Sequence, residues 1–385
     1  TPEPLPPHAG VAAAAAGRRA PGSHALGSGR RALASGGPAT KASTDIDRVP
    51  RPAPPPWREA LGAGMGTGTL FSIILPVFGL IAVGWLAVAT KVLRPEVGDA
   101  LSDFVFVIAI PVLLFRALGT LALPDIDPWR FWACYFLGVA AVWTLGSVAI
   151  RTVFRRDART GVIAGVSAAF SNLVFMGLPV FQRAYGSDGL LVGLVLVAVH
   201  LPVMMTVAVV LIDLAERRDG TRSTRSTVRG TLARLVRSLG RNPLVIGILA
   251  GVAFRLTGLP LPALAVDVID KIDDTAIPLA LIALGMSLHR YGIAGNLAPA
   301  IAITTIKLMV APAIVLLLAT HVFGLPPLVT AIATLAAASP TGVNAWLIAN
   351  HFQTGHALAS NAIAIATVSS ILTFSFWLWV LGAQI

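Results

Sequence analysis

The sequence predicts an all-α membrane protein of ten transmembrane helices, built as two inverted five-helix repeats. Three observations carry this: apolar runs of spanning length, basic residues that alternate between successive loops, and paired interrupted helices at matching places in the two halves. Hydrophobic residues make up 56% of the 385 and charged residues 12%, with a mean hydropathy of +0.80, whereas ordinary soluble domains are roughly 25% charged. Runs long enough to cross a hydrocarbon core of about 30 Å fall near 69–89, 97–119, 129–150, 161–183, 189–212, 243–258, 262–288, 297–319, 326–350 and 357–381. Backbone groups find no water in lipid, so spanning segments are helices or closed barrels. These runs lack the alternation of barrel strands, which leaves helices. The single cysteine, Cys134, lies inside the third run and excludes an intramolecular disulfide.

Charge sets the topology. The net charge of +11 suggests a nucleic-acid partner only until it is located. Residues 1–64 hold eight basic against four acidic residues and residues 215–242 hold eight against two, so they supply +4 and +6 and leave +1 for the rest. A basic loop between apolar spans marks the cytoplasmic face, and no nucleic-acid partner is expected. Lys91 and Arg94 follow span one, Asp125 and Asp127 follow span two, Arg151, Arg155, Arg156 and Arg159 follow span three, and Arg290 follows span seven. Odd-numbered loops are therefore inside and both ends of the bundle outside. Residues 1–64 are rich in Pro, Gly, Ala and Arg without amphipathic period, and cannot offset the entropy of ordering. They read as a disordered basic tail or an over-long gene start before Met65. The remaining units are 65–214 as the first repeat, 215–242 as the cytoplasmic loop and 243–385 as the second repeat.

The two halves match in their damage. Ser171-Asn172 and the later Gly177 and Pro179 interrupt span four, while Pro340-Thr341-Gly342-Val343-Asn344 interrupts span nine. Asn172 lies 103 residues after the first span begins at 69, and Asn344 lies 101 after the sixth begins at 243. Five being odd, the second half is inverted relative to the first. Paired, interrupted helices in inverted halves point to the binding site of a secondary transporter, because broken backbone is tolerated at membrane depth where it lines a cavity.

At these residues the chain resembles the auxin efflux carrier family of membrane transporters. The matching pieces are Asn172-x-x-Phe-x-Gly177-x-Pro179, Pro340-Thr-x-x-Asn344-Ala, Asn242-Pro243, Pro278-Leu-Ala-Leu and Lys307-Leu-x-x-x-Pro312, in order across about residues 69–381. The resemblance implies that helices four and nine are unwound and cross near the midplane. It also implies alternating access and small organic anions as substrates, with efflux the expected direction. Gly342 stands where many members place alanine.

Substrate contact is expected from Asn172, Gly177, Gly342, Asn344 and Lys307, and helix breaking from Ser171, Pro179 and Pro340. Asparagine is also a favoured helix cap, proline removes a donor, and glycine permits close approach. Lys307, near the middle of span eight, needs a partner, since a centred lysine costs roughly 2.5–3.5 kcal/mol on insertion scales. It either neutralises half-helix carbonyl dipoles or attracts an anion. Asp103 and His200 are the candidates for proton coupling, with packing as the alternative role for the histidine. Arg116 is expected to snorkel outward, and Asp267, Asp270, Asp273 and Asp274 with Lys271 to form a solvated interfacial turn.

No nucleotide-binding loop, metal-ligand spacing or catalytic-triad context is present in the sequence, so neither an enzyme nor a cofactor is expected. A cation/proton antiporter of similar architecture would need acidic ligands at the break, where this chain has Asn and Ser. A membrane-embedded sensor would need a signalling domain larger than the 28-residue segment 215–242. The expected partners are a small organic anion, a coupling proton, the lipid bilayer and a second copy in a homodimer. The expected location is the bacterial cytoplasmic membrane, crossed many times.

Overall fold

The computed structural model describes residues 67–120, 126–218, 240–289, 295 and 297–384. The expectations for residues 1–64, for Met65, Asp125 and Arg290, and for most of the basic segment 215–242 lie outside the described residues. Within them every regular element is a helix. In chain order these are α1 (Thr67–Ala89), α2 (Pro95–Thr120), α3 (Pro128–Thr152), α4 (Ala158–Ala169), α5 (Leu178–Arg218), α6 (Pro243–Thr257), α7 (Ala263–Leu288), α8 (Ala298–Val322), α9 (Pro327–Ala338), α10 (Asn344–His351) and α11 (His356–Gln384).

Local chemistry explains the boundaries. Pro95, Pro128 and Pro243 open α2, α3 and α6, where a missing N–H costs nothing. Asp127 caps α3 by accepting from the Trp129 and Arg130 amides at 3.0 and 3.2 Å, and Asn242 caps α6 by accepting from Leu244 at 2.9 Å. Between the expected spans 161–183 and 189–212 the break falls at Gly186, whose φ of 64° and ψ of −151° are non-helical, favour glycine and separate two helices within α5. Helix α5 then runs to Arg218, so residues 215–218 are helical.

Among the described residues six helices are long and apolar enough to cross a membrane: those over Phe71–Ala89, Pro95–Thr120, Pro128–Thr152, Leu173–Arg217, Ala298–Val322 and His356–Gly382. Helices α6 and α9 are apolar but shorter. Large apolar side chains face outward, with Leu75 67%, Leu256 82% and Leu372 76% exposed. Such a surface suits lipid and would aggregate in water. The chain is an all-helical membrane protein.

Two helix pairs are drawn together by glycine. A Cβ at Gly84 would fall on the Ile282 carbonyl and one at Gly285 on the Ile81 carbonyl, so α1 and α7 meet backbone to backbone. Gly247 and Gly251 likewise bring α6 against Pro111 and Phe115 of α2. Small residues are the usual means of close helix approach in lipid, where no hydrophobic force pulls helices together.

The aspartates expected in a solvated turn lie instead inside α7, and Arg116 does not snorkel away from them. Its Nε pairs with Asp270 at 2.7 Å and its Nη1 with Asp273. With α2 packed on α7, two carboxylates come within reach of one guanidinium, and charge-assisted bonds outweigh solvation of the free ends. Arg255 of α6 donates from Nε to the Leu118 carbonyl at 2.7 Å, joining α6 to the same end of α2.

The glycine contacts generate a prediction. Gly285→Ala overpacks the α1–α7 contact at a cost of about 1–3 kcal/mol, which lowers the unfolding temperature of the purified protein in detergent. Gly79→Ala, whose added Cβ meets nothing within 4 Å, leaves that temperature unchanged.

Candidate functional site

Two helices are interrupted and repair one another. Helix α4 ends at Ala169, and Phe170 turns extended with φ −77° and ψ 103°. Helix α9 ends at Ala338, and Ser339 is extended with φ −60° and ψ 139°, as the residue before a proline prefers. The Asn172 amide donates to the Pro340 carbonyl at 2.8 Å and the Gly342 amide to the Phe170 carbonyl at 2.8 Å. These two bonds make an antiparallel bridge between Ser171 and Thr341. Thr341 also donates from Oγ1 to the Ser167 carbonyl at 2.8 Å. The groups freed by one break are thus satisfied by the other.

Pro340 sits inside its break. Pro179 lies beyond the other one, in the first turn of α5, after a wide π turn over Leu173–Gly177. The first interruption is therefore shaped by the bridge and by Asn172, whose Oδ1 caps that turn by accepting from the Phe175 amide at 3.3 Å. Asn344 is the first residue of α10, and its side chain does not cap the helix.

Lys307 lies on a second π turn, Ile306–Val310 in α8, and is buried to 1% exposure. Its Nζ donates to the Ala337 carbonyl at 2.9 Å and to Ser171 Oγ at 2.6 Å. Ala337 is in the last turn of α9, so the ammonium sits where the half-helix dipole is most negative. Ser171 Oγ also accepts from Tyr135 of α3 at 3.2 Å. One hydroxyl thus joins α3, α8 and the bridge. The indole of Trp377 in α11 donates at 2.8 Å to the Leu308 carbonyl in the same π turn.

A cavity of about 280 Å³ opens beside the bridge. Ser171, Asn172, Gly342 and Asn344 form one wall, with His200 of α5 among them and Asp103 of α2 and Ser287 of α7 farther along. Much of the remaining lining is apolar, including Phe106, Phe170, Phe175 and Leu284. The cavity extends toward the end of the bundle where α2 and α6 begin and α7 finishes. Its lining includes no Lys or Arg among the described residues. Asn172 is 5% exposed, and its Nδ2 finds no hydrogen-bond partner among them. A buried amide that lines a cavity and keeps its donor free is equipped to receive an acceptor.

The structure therefore brings Ser171, Asn172, Gly342, Asn344, Asp103 and His200 together on one cavity. It places Gly177 behind the wall, where a Cβ would meet Phe181 and Leu173, and Lys307 beneath the bridge. Tyr135 and Thr341 were absent from the sequence-derived set. For Tyr135 a signal exists: it precedes Lys307 by the same 172 positions that separate Asn172 from Asn344 (307 − 135 and 344 − 172).

A family model described as membrane transport protein matches residues 69–378. An uncharacterised transporter of Methanothermobacter thermautotrophicus is 26% identical over 308 residues, covering 79% of this chain and 96% of that protein. A protein of Rhizobium meliloti designated a candidate malonate transporter is 25% identical over 313 residues, covering 80% and 95%. The lysosomal cholesterol signaling protein of Mus musculus is 24% identical over 231 residues, but these are 58% of this chain and only 26% of that protein. The interrupted helices and their cavity thus belong to a multi-pass membrane transporter, and the chain is a member of the membrane transport protein family, that of the auxin efflux carriers.

Proposed function

We propose that this chain is a secondary transporter of small organic carboxylates, working by alternating access around the bridge between the two interrupted helices. The observation that carries the reading is the buried Asn172 Nδ2, free of partners among the described residues on the cavity wall. Asn344 adds a second amide on the same wall, and the π turn leading into α5 and the start of α10 add the positive ends of two helix dipoles. Lys307 acts from below, holding the α9 carbonyl end in place while keeping a positive charge near the substrate. The ten passes form two inverted repeats, 65–214 and 243–385. Residues 215–242 lie in the cytoplasm and both ends of the bundle outside, in a bacterial cytoplasmic membrane. The resemblance favours export and a proton as coupling ion.

The cavity also speaks to substrate charge. Among the described residues its lining offers neutral donors and one carboxylate, Asp103, but no Lys or Arg. Two charges on a substrate would meet too little compensation in a region of low dielectric. The apolar remainder of the wall suits an organic body. The favoured substrate is accordingly a monocarboxylate with an apolar part, in preference to a dicarboxylate such as the malonate for which one relative is named.

Three predictions follow from the site and its orientation. Asn172→Ala and Asn344→Ala each weaken anion binding by about 1–3 kcal/mol. Calorimetry against phenylacetate, pyruvate, indole-3-acetate, malonate and succinate reads this directly, and unchanged affinity of both variants for every anion sinks the reading. Lys307→Met abolishes transport and lowers the unfolding temperature, because it strips the buried Ala337 carbonyl of its lysine donor at about 1–3 kcal/mol, whereas Asn344→Ala unfolds near the wild-type temperature and Asn172→Ala, which loses its cap, slightly below it. Arg225→Cys is labelled by an impermeant maleimide only from the cytoplasmic side, and labelling from outside overturns the topology.

A further inference from the structure

We propose that His200 is the proton-binding residue of this transporter, and that its proton is taken up together with the anion, so that the two cross the membrane in the same direction. This rests on the proposed anion site. The histidine is 3% exposed and lines the same cavity as Asn172. Neither Nδ1 nor Nε2 bonds another side chain among the described residues; the polar group beside the ring is the Ser171 backbone, on the cavity wall. Two aromatic edges also hold the ring, Phe170 at 5.1 Å and 90° and Tyr135 at 5.7 Å and 65° between ring planes. Those contacts orient the imidazole without using its nitrogens.

The charges around it favour coupling. From α8, the Lys307 ammonium stands beneath the bridge at Ser171, which lines the cavity with His200. From α2, Asp103 is the one carboxylate on the wall among the described residues, and from α3 Tyr135 uses its hydroxyl on Ser171. Asn172, Asn344 and Ser287 are neutral. An anion at Asn172 supplies the missing negative charge, and the imidazolium gains a carboxylate partner. Anion and proton therefore stabilise one another by linkage, each raising the affinity for the other equally. The proton comes from water at the open end of the cavity and returns to water on the other side when the anion leaves. An inward proton gradient then drives uptake, opposite to the export that the family resemblance suggests.

The test uses the purified full-length protein with benzoate, phenylacetate and pyruvate, which remain ionised across the range. Because the complex holds one more proton than the protein without anion, affinity rises as pH falls, by up to about tenfold per unit. Calorimetry in two buffers of different ionisation enthalpy should register uptake of close to one proton per anion bound. His200→Gln loses the slope and the proton uptake while Lys307 stays in place; Asp103→Asn keeps both. Wild-type binding without proton uptake overturns the proposal whether or not the variant folds. Retention of the slope in His200→Gln, or its loss in Asp103→Asn alone, overturns it too. If wild-type protein binds none of these anions nor malonate, the anion site itself falls, an outcome distinct from binding without a proton.

Discussion

A backbone amide at membrane depth must find an acceptor inside the protein, and the centre of this structure is organised by that requirement. Two helices stop short, which leaves peptide groups where neither lipid nor bulk water can serve them. The bonds from Asn172 to Pro340 and from Gly342 to Phe170 settle the debt reciprocally. Once the two breaks are obliged to meet, their neighbours are constrained as well. Ser171 is brought to Tyr135 and Lys307, Thr341 to the carbonyl of Ser167, and the ammonium of Lys307 to the end of α9. A lysine with no carboxylate partner among the described residues is tolerable there because it faces the negative end of a helix dipole and two oxygen acceptors.

The same requirement separates structural from receptive polar groups. Thr341, Lys307 and Tyr135 spend their donors on the bridge, whereas Asn172 spends only its oxygen and leaves its nitrogen facing the cavity. His200 spends neither nitrogen on another side chain. Burying such groups unbonded is costly, and a site that receives a solute is where that cost has a purpose.

Packing adds a second division. Helices α1 and α7 touch backbone to backbone through Gly84 and Gly285, and α2 and α6 through Gly247 and Gly251. The Arg116 pairs with Asp270 and Asp273 bind α2 to α7 as well. On the other side, α3, α4, α8 and α9 are knitted together around the bridge. The cavity lies where these two groups of helices face one another, with Asp103, Leu244 and Ser287 contributed by the first and Ser171, Asn172 and Asn344 standing on the second. Hydrogen bonds and glycine contacts rigidify each group internally, while the interface between them is lined by side chains around open space.

Much of this was legible in the linear chain, because the lipid solvent leaves few options. Hydrophobic runs of spanning length must be helical, and Ser-Asn and Pro-Thr-Gly within such runs must be breaks, so the membrane class and the location of both interruptions followed from residues alone. Helix ends were readable at Asp127-Pro128 and Asn242-Pro243 for the same local reason. What the chain could not reveal were partners distant in sequence. That Lys307 serves Ala337 and Ser171, that Arg116 reaches Asp270 and Asp273 instead of solvent, and that Gly177 sits behind the cavity wall all depend on which helices pack together. Asn172 and Asn344 look equivalent as letters. Only the fold gives one a capping oxygen and leaves the other uncapped at a helix start. The sequence by itself determined where the helices had to fail; tertiary structure decided which groups repaired the failure and which were left free, because hydrogen-bond partners across a bundle are set by geometry that no local pattern encodes.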